Sequence, residues 1–181
     1  HEIACDQFRL PIESPKKAFK TSGPKLTVST NGDNLSASSS KVNFVFNRKT
    51  GIVTSYKVDG TEYFSEGFGI QPNFWRAPTD NDYGNGMPKR LQVWKESSKN
   101  FNVTDATVTM DGNNAVVNVN YLLPAGNLYI VNYTIYPSGA VNVAARFTST
   151  DMDAAQTEVS EATRTATFTP GRDAARKEAS K

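Results

Sequence analysis

The stretch Val42-Asn43-Phe44-Val45-Phe46-Asn47 sets the fold class, because apolar and polar side chains alternate along it. Val42, Phe44 and Phe46 share one face, and Asn43 and Asn47 lie on the other. A period of two residues is typical of a β-strand with one buried face. The same period predicts three later strands, whose apolar faces are Val117, Val119 and Tyr121; Tyr129, Val131, Tyr133 and Ile135; and Val141, Val143, Ala145 and Phe147.

Turn-forming dipeptides separate these strands at spacings suited to antiparallel hairpins. They are Asn31-Gly32, Asp59-Gly60, Asp111-Gly112 and Ser138-Gly139. Such pairs tolerate the positive φ angles that tight hairpin turns require. The sequence therefore predicts an all-β protein, an antiparallel β-sandwich built from a meander of strands.

The segment from Gln71 to Asn85 carries the most specific composition of the chain. Phe74 and Trp75 are expected to act as anchors that bury a large apolar area. Pro78 disfavours the helical region for Ala77, so the chain should stay extended and continue into a loop.

That predicted loop is acidic. Arg76 is placed to pair with either Asp80 or Asp82. Tight-turn residues complete the loop, namely Asn81, Gly84 and Asn85.

One short helix is predicted after the loop. Pro88 suits a first-turn position, and Leu91 and Trp94 are three residues apart and would share a face with Met87. This face is expected to cover apolar sheet surface and hold the end of the loop on the sandwich.

The run from Asn73 to Asp82, with Trp94 downstream and the hairpin from Phe44 to Val53 upstream, resembles the large β-galactosidases of glycoside hydrolase family two. The resemblance covers about Lys41 to Ser97 and weakens after about Asp151. It implies the start of the last domain of those enzymes, a large antiparallel sandwich of the galactose-mutarotase-like supersandwich type that follows the catalytic barrel.

This resemblance also implies a function. Catalysis in the family rests on two barrel glutamates, and no segment here resembles the strands that carry them, so no catalytic residue is expected. The chain would support a retaining enzyme that hydrolyses terminal β-D-galactosides. Its partners would be the barrel and other domains, the galactoside in the intact enzyme and, as an option, further copies of itself.

Residue roles follow from the matched motif. The loop would close off the galactose pocket through Arg76, Asp80, Asn81, Asp82, Gly84 and Asn85. The structural anchors would be Phe74, Trp75, Pro78 and Trp94.

The chain is expected to contain three parts. Residues 1–12 read as the last strand of a preceding domain, which the resemblance implies to be immunoglobulin-like, and 13–24 have the composition of a linker. Residues 25–181 would be the N-terminal part of the C-terminal sandwich. Beyond Asp151 the sequence becomes rich in Ala, Thr, Glu, Arg and Lys, which predicts an unpaired sheet edge or a mobile tail.

Composition narrows the functional classes. The 181 residues include 21% charged residues, with a net charge of +2 and scattered basic residues, which argues against nucleic-acid binding. A single cysteine and a single histidine leave no basis for a disulfide, a zinc site or a serine triad, and no metal or cofactor is expected. No signal peptide or apolar membrane span is visible, so a soluble chain is expected, and the choice between the periplasm and the cytoplasm of a bacterium is left open.

The acidic loop suggests two other interpretations, a catalytic pair and a calcium site. On extended chain Asp80 and Asp82 would lie roughly 7 Å apart, as in an inverting glycosidase, but an exposed loop beside Arg76 favours their ionised forms. A calcium loop starting at Asp80 fails because Gly84 and Leu91 stand where oxygen ligands are needed.

A carbohydrate-binding module is the alternative function. It would use the aromatic residues Tyr56, Tyr63, Phe64 and Phe68, although their placement on strands favours core packing. A pure assembly domain, associating through its Thr-, Asn- and Ser-rich faces, is a further class.

Overall fold

The computed structural model describes residues 19–64, 68–148 and 161–168. Within those ranges ten strands form two five-stranded antiparallel sheets, in the orders β1-β2-β3-β4-β5 and β10-β9-β8-β7-β6. The first sheet contains β1 (Thr27–Asn31), β2 (Asn34–Ser38), β3 (Val42–Asn47), β4 (Ile52–Val58) and β5 (Thr61–Glu62). The second contains β6 (Asn102–Asp111), β7 (Asn114–Leu122), β8 (Leu128–Ile135), β9 (Val141–Thr148) and β10 (Glu161–Phe168).

The predicted hairpins are confirmed. Strands adjacent in sequence are adjacent in each sheet, so both sheets are meanders. Between β4 and β5 the chain turns at Asp59 and Gly60, whose φ angles are 51° and 81°. A two-residue hairpin turn of type I′ requires positive φ angles at both central residues.

The core lies between the two sheets, and the apolar faces predicted from the alternation form it. Phe44 and Phe46 of β3 are almost fully buried, as is Tyr133 of β8 in the other sheet. The Phe44 and Tyr133 ring centroids are 5.6 Å apart. The all-β antiparallel sandwich predicted from the sequence is therefore the fold of this chain.

Two buried tyrosines link the sheets reciprocally. Tyr121, on β7 of the second sheet, donates a hydrogen bond of 2.9 Å to the carbonyl oxygen of Gly51, in the turn between β3 and β4. Tyr56, on β4 of the first sheet, donates to the carbonyl oxygen of Gly139, in the turn between β8 and β9. Each sheet thus satisfies a turn carbonyl of the other.

Three short helices connect the two sheets, where the sequence predicts one. They are α1 (Asp80–Gly84), α2 (Met87–Arg90) and α3 (Gln92–Ser97), and a single 3₁₀ turn at Pro124–Gly126 joins β7 to β8. Pro88 occupies the predicted first-turn position in α2. Gly86 precedes α2 with a φ of 71°, a conformation that interrupts a continuous helix.

The prediction of extended chain at Asp80 is wrong. Thr79 has extended backbone angles and starts α1 through a capping box, in which its side chain accepts from the third helical residue and Asp82 accepts from the backbone of Thr79. The Pro78 restriction acts on Ala77, so it leaves Thr79 free to begin a helix.

The prediction of an unpaired sheet edge or a mobile tail beyond Asp151 is partly tested. Residues 161–168 form β10, which pairs with β9 in an antiparallel register from Glu161 with Thr148 to Phe168 with Val141. No strand is predicted there, because small alanine and threonine side chains give almost no apolar periodicity. β10 is the last strand of its sheet among the described residues, and 149–160 and 169–181 lie outside them.

The predicted strand at residues 1–12 and the first part of the predicted linker also lie outside the described residues. The later linker residues contact the turn between β8 and β9, where the Phe19 and Tyr136 rings are 5.2 Å apart. None of the helices in the described part is long and apolar enough to cross a bilayer.

Candidate functional site

A bidentate ion pair between Arg76 and Asp82 lies at the centre of the candidate site. The two guanidinium nitrogens donate to the two Asp82 carboxylate oxygens at 2.6 Å and 2.9 Å. The Asp82 side chain is only 11% exposed, whereas that of Arg76 is 64% exposed. Two parallel hydrogen bonds from a planar guanidinium are the strongest form of an arginine–carboxylate pair. Of the two predicted partners, Asp80 and Asp82, Arg76 therefore binds Asp82.

Thr79 adds two further donors to the same carboxylate. Its backbone N–H lies 2.7 Å from Asp82 Oδ2, and its hydroxyl lies 2.9 Å from that atom. The hydrogen bond from Arg76 and the backbone hydrogen bond from Thr79 hold the pKa of Asp82 far below its usual range. Asp82 is therefore a permanent anion at neutral pH.

Asp80 lies at the start of α1 and is exposed, and in the described part of the chain its side chain has neither a hydrogen bond nor an ion pair. Residues two apart on a helix project in different directions, so Asp80 and Asp82 do not face a common point. Asp82, held as an anion, cannot donate a proton. This geometry argues against the inverting-glycosidase interpretation.

The remaining loop residues lie on the outer side of this segment. Asn81, Gly84 and Asn85 are all exposed. The side-chain oxygen of Asn85 accepts from the backbone N–H of Met87 at 2.9 Å, which joins the end of α1 to the start of α2. No heavy atom beyond its chain neighbours would meet a side-chain carbon placed on Gly84, so that position borders open space.

Beside the ion pair lies a cleft of about 220 Å³. It is lined by Phe74, Trp75, Arg76, Met87, Leu91 and Trp94. Three of these residues belong to the motif, and the others come from α2, from α3 and from Leu91 between them. Arg76 is the one charged residue of this lining.

Phe74 fixes the base of the cleft to the second sheet. Its ring lies 5.0 Å from that of Tyr129, 6.1 Å from that of Phe147 and 6.2 Å from that of Trp94. Trp94 also contacts Phe147, with centroids 5.5 Å apart. Trp75 differs from the expectation of a core anchor, because it is half-buried and lines the cleft. Pro78 is also half-buried.

Sequence reasoning missed Ser98, which ties α3 to the motif. The backbone N–H of Phe74 donates to Ser98 Oγ at 2.7 Å, and this hydroxyl donates to the carbonyl of Trp94 at 3.0 Å. No local pattern marks this serine. Thr79 was also missed, although threonine three residues before an acidic residue is a helix-start signal that could have found it.

The aromatic residues proposed as a carbohydrate platform are mainly part of the core. Tyr56 is 2% exposed, and its ring lies 5.4 Å from that of Tyr63 and 6.0 Å from that of Phe64. Only Phe68 is strongly exposed, at 74%. Core packing, the favoured interpretation, is confirmed for Tyr56, and the four rings do not form one exposed surface.

No group of three His, Cys, Asp or Glu side chains suited to a metal ion occurs in the parts of the chain that the structure describes. In the loop, both Asp82 oxygens are already occupied by Arg76 and Thr79. The expectation of no metal or cofactor stays a prediction.

The sequence of this chain matches a known protein family. The family model described as "Beta galactosidase small chain" matches residues 38–169, which is most of the chain and includes the whole Asn73–Asp82 motif. The chain belongs to the β-galactosidase small-chain family. The resemblance inferred from the motif is thereby confirmed.

Individual relatives agree with this assignment. A β-galactosidase of Priestia megaterium is 33% identical over 145 residues, which cover 79% of this chain and 14% of that protein. A β-galactosidase of Kluyveromyces lactis is 29% identical over 146 residues, or 75% of this chain and 14% of that protein. The β-galactosidase small subunit of Latilactobacillus sakei is 27% identical over 129 residues, or 58% of this chain and 39% of the subunit. The chain thus spans 14% of the length of the first two relatives.

Proposed function

We propose that this chain is a non-catalytic component of a β-galactosidase, and that it supports the active site of the larger enzyme through the segment Arg76–Asn85. The larger enzyme would hydrolyse terminal β-D-galactosides with retention of configuration. Its catalytic barrel and other domains would be the partners of this chain.

One observation carries the proposal, namely that Asp82, the buried member of the acidic pair, is committed to structural contacts. Asp82 accepts hydrogen bonds from Arg76 and Thr79 and starts α1. A carboxylate held in this way cannot act as a general acid, because its low pKa removes the proton that it would have to donate. It can instead hold a helix rigidly at the edge of a site supplied by another domain.

The exposed residues of α1 and of its C-cap, Asn85, would face that site. Asp80, Asn81 and Asn85 offer carboxylate and amide groups that are accessible to solvent. Such groups can hydrogen-bond to sugar hydroxyls or to residues of a neighbouring domain. The buried side of the segment, held by Arg76 and Asp82, would keep them at fixed positions.

The test is complementation between separate polypeptides. The 181-residue chain is assayed on 2-nitrophenyl β-D-galactopyranoside alone, and then mixed with the larger β-galactosidase from which these residues have been deleted. We expect no turnover by the chain alone and restored turnover in the mixture. Hydrolysis by the chain alone would contradict the proposal, as would an inactive mixture in which the two polypeptides co-elute on size exclusion.

Two variants refine this test. Asp82→Asn should weaken restored turnover, because the amide can accept only one of the two guanidinium donors in the same geometry. Asp105→Asn serves as the matched control, since Asp105 is exposed on β6 and takes no part in the segment. Equal effects of the two substitutions would show that Asp82 has no special role.

A further inference from the structure

Both tryptophans of the chain line the same cleft. The sequence contains two tryptophans, Trp75 and Trp94, and both are in its walls. Trp94 is supported from behind by ring contacts with Phe74 and Phe147. Among the described residues Trp75 has neither a ring partner nor a hydrogen bond from its indole nitrogen. Trp75 is thus a large aromatic side chain that is only half-buried, so part of its surface is accessible from the cleft.

Arg76 brings hydrogen-bond donors to this apolar cleft without bringing a free charge. One terminal nitrogen donates to Asp82 and to the Ala77 carbonyl, and the other donates to Asp82. In the described part of the structure the Nε–H and one terminal N–H have no acceptor. Because the Asp82 carboxylate cancels the guanidinium charge, an anionic ligand would gain little net attraction.

We propose that this cleft binds one ring of a neutral pyranoside. A pyranose ring has an apolar face of C–H groups, which fits the negative π-face of an indole such as Trp75. Its rim carries hydroxyl oxygens that accept from the unpaired Arg76 N–H groups. The volume of about 220 Å³ is below the range of about 300–1,000 Å³ for drug-sized ligands, so it suits a single ring.

This site differs from the aromatic group Tyr56, Tyr63, Phe64 and Phe68 proposed from the sequence. It shares Arg76 with the segment Arg76–Asn85 that supports the proposed function, but its aromatic lining, Phe74, Trp75 and Trp94, lies outside that segment. Phe68 is exposed, but the cleft does not include it. The proposal concerns sugar binding by the chain itself, so it does not depend on complementation of a larger enzyme.

The experiment uses the two indole N–H resonances of the ¹⁵N-labelled full chain, both of which report on the cleft because no other tryptophan exists. Methyl β-D-galactopyranoside and methyl β-D-glucopyranoside are titrated in turn. We expect saturable shifts of the Trp75 resonance, with a dissociation constant on the order of 1–10 mM, since a ligand with few non-hydrogen atoms gains little binding energy. Sodium D-galacturonate should bind no more tightly than the neutral sugars.

Matched variants assign the site. Trp75→Ala should weaken binding by about tenfold or more, as measured on the Trp94 resonance, because the stacking face is lost. Phe68→Ala removes an exposed ring outside the cleft and should leave binding unchanged. Trp75→Phe keeps a smaller aromatic face and should retain part of the affinity, which guards against a folding defect in the alanine variant.

Three results would overturn the proposal. The first is the absence of saturable shifts with either neutral sugar at 100 mM, roughly ten times the weakest expected constant. The second is tighter binding of galacturonate, which would make the cleft an anion site. The third is tighter binding of N-acetyltryptophanamide than of either sugar, which would make it a socket for an apolar side chain of another polypeptide.

Discussion

Asp82 holds the motif in its conformation through the hydrogen bonds that it accepts from Arg76 and Thr79. The same hydrogen bonds keep its carboxylate ionised. The sequence predicts that Arg76 pairs with one of two aspartates, because both are within reach of its side chain. It does not distinguish them, since the distinction depends on helix geometry. Once α1 starts at Asp80, the third helical position turns Asp82 back toward Thr79 and Arg76, while Asp80 stays exposed.

The pairing of Asp82 predicts a pH dependence of stability. The pKa of Asp82 is lowered in the folded state by Arg76 and by Thr79, so its contribution is fully present above the unfolded pKa of about 3.9 and is lost as the pH falls through the folded pKa. We expect Asp82→Asn to lower the melting temperature at pH 7. The gap between wild type and variant should narrow progressively below about pH 4.

Thermal melts followed by circular dichroism between pH 2 and pH 7 measure this gap. Asp80→Asn is the matched control, because Asp80 is two residues away in the same helix but has no partner in the described structure. At pH 7 Asp80→Asn should lower the melting temperature less than Asp82→Asn does. A gap for Asp82→Asn that is constant from pH 7 to pH 2 would contradict the predicted linkage.

At the scale of elements, the strands and turns could be predicted, but the connection between the sheets could not. Alternation is a local signal, and it identified β3, β7, β8 and β9 because each buries one face. The helices α1, α2 and α3 are each too short to show a helical period. α1 starts through the capping box of Thr79 and Asp82, and α3 packs through Trp94 against Phe74 and Phe147, a contact that no local window contains.

Two adjacent serines at the end of α3 provide a test of how that element is held. Ser98 Oγ accepts from the backbone N–H of Phe74, so Ser98→Ala leaves this donor unpaired and should cost about 1–2 kcal/mol in the free energy of unfolding. Ser97 is fully buried, and its hydroxyl has no hydrogen-bond partner among the described residues. Ser97→Ala should therefore be neutral or stabilising, since it removes a buried polar group without a partner.

Urea unfolding of both variants gives the comparison directly. The substitutions have the same chemistry and adjacent positions, so the difference between them reports the hydrogen bonds of Ser98 Oγ, which accepts from the Phe74 N–H and donates to the Trp94 carbonyl. A loss for Ser97→Ala equal to that for Ser98→Ala would mean that the Phe74–Ser98 bond does not hold α3 in place.

At the scale of the whole molecule, the sandwich is closed by apolar packing and by the reciprocal tyrosine bonds. Tyr56 and Tyr121 both lie in the core, and burial raises the pKa of each hydroxyl. Their acceptors, Gly139 and Gly51, lie near opposite ends of β3, since Gly139 faces Val42 and Gly51 follows Asn47.

We expect Tyr56→Phe and Tyr121→Phe each to cost about 1–2 kcal/mol, because each leaves a turn carbonyl without its donor. The two bonds are far apart and share no partner, so the double variant should lose approximately the sum of the two. Urea unfolding of the three variants measures this, with Tyr83→Phe as a control, because Tyr83 is 64% exposed and its hydroxyl has no hydrogen bond in the described structure. A double variant that is no weaker than either single variant would show that the bonds do not act independently.

The sequence by itself determined the fold class, four strands of the core, the hairpin turns and the family, because these depend on period, on turn chemistry and on one short motif. Only the tertiary structure decided which aspartate Arg76 binds, that the motif continues into a helix, and that Trp75 and Trp94 share a cleft. It also revealed β10, whose small side chains carry no pattern. Each of these features depends on contacts between residues far apart in the chain or on capping hydrogen bonds, and neither leaves a periodic signal in the sequence.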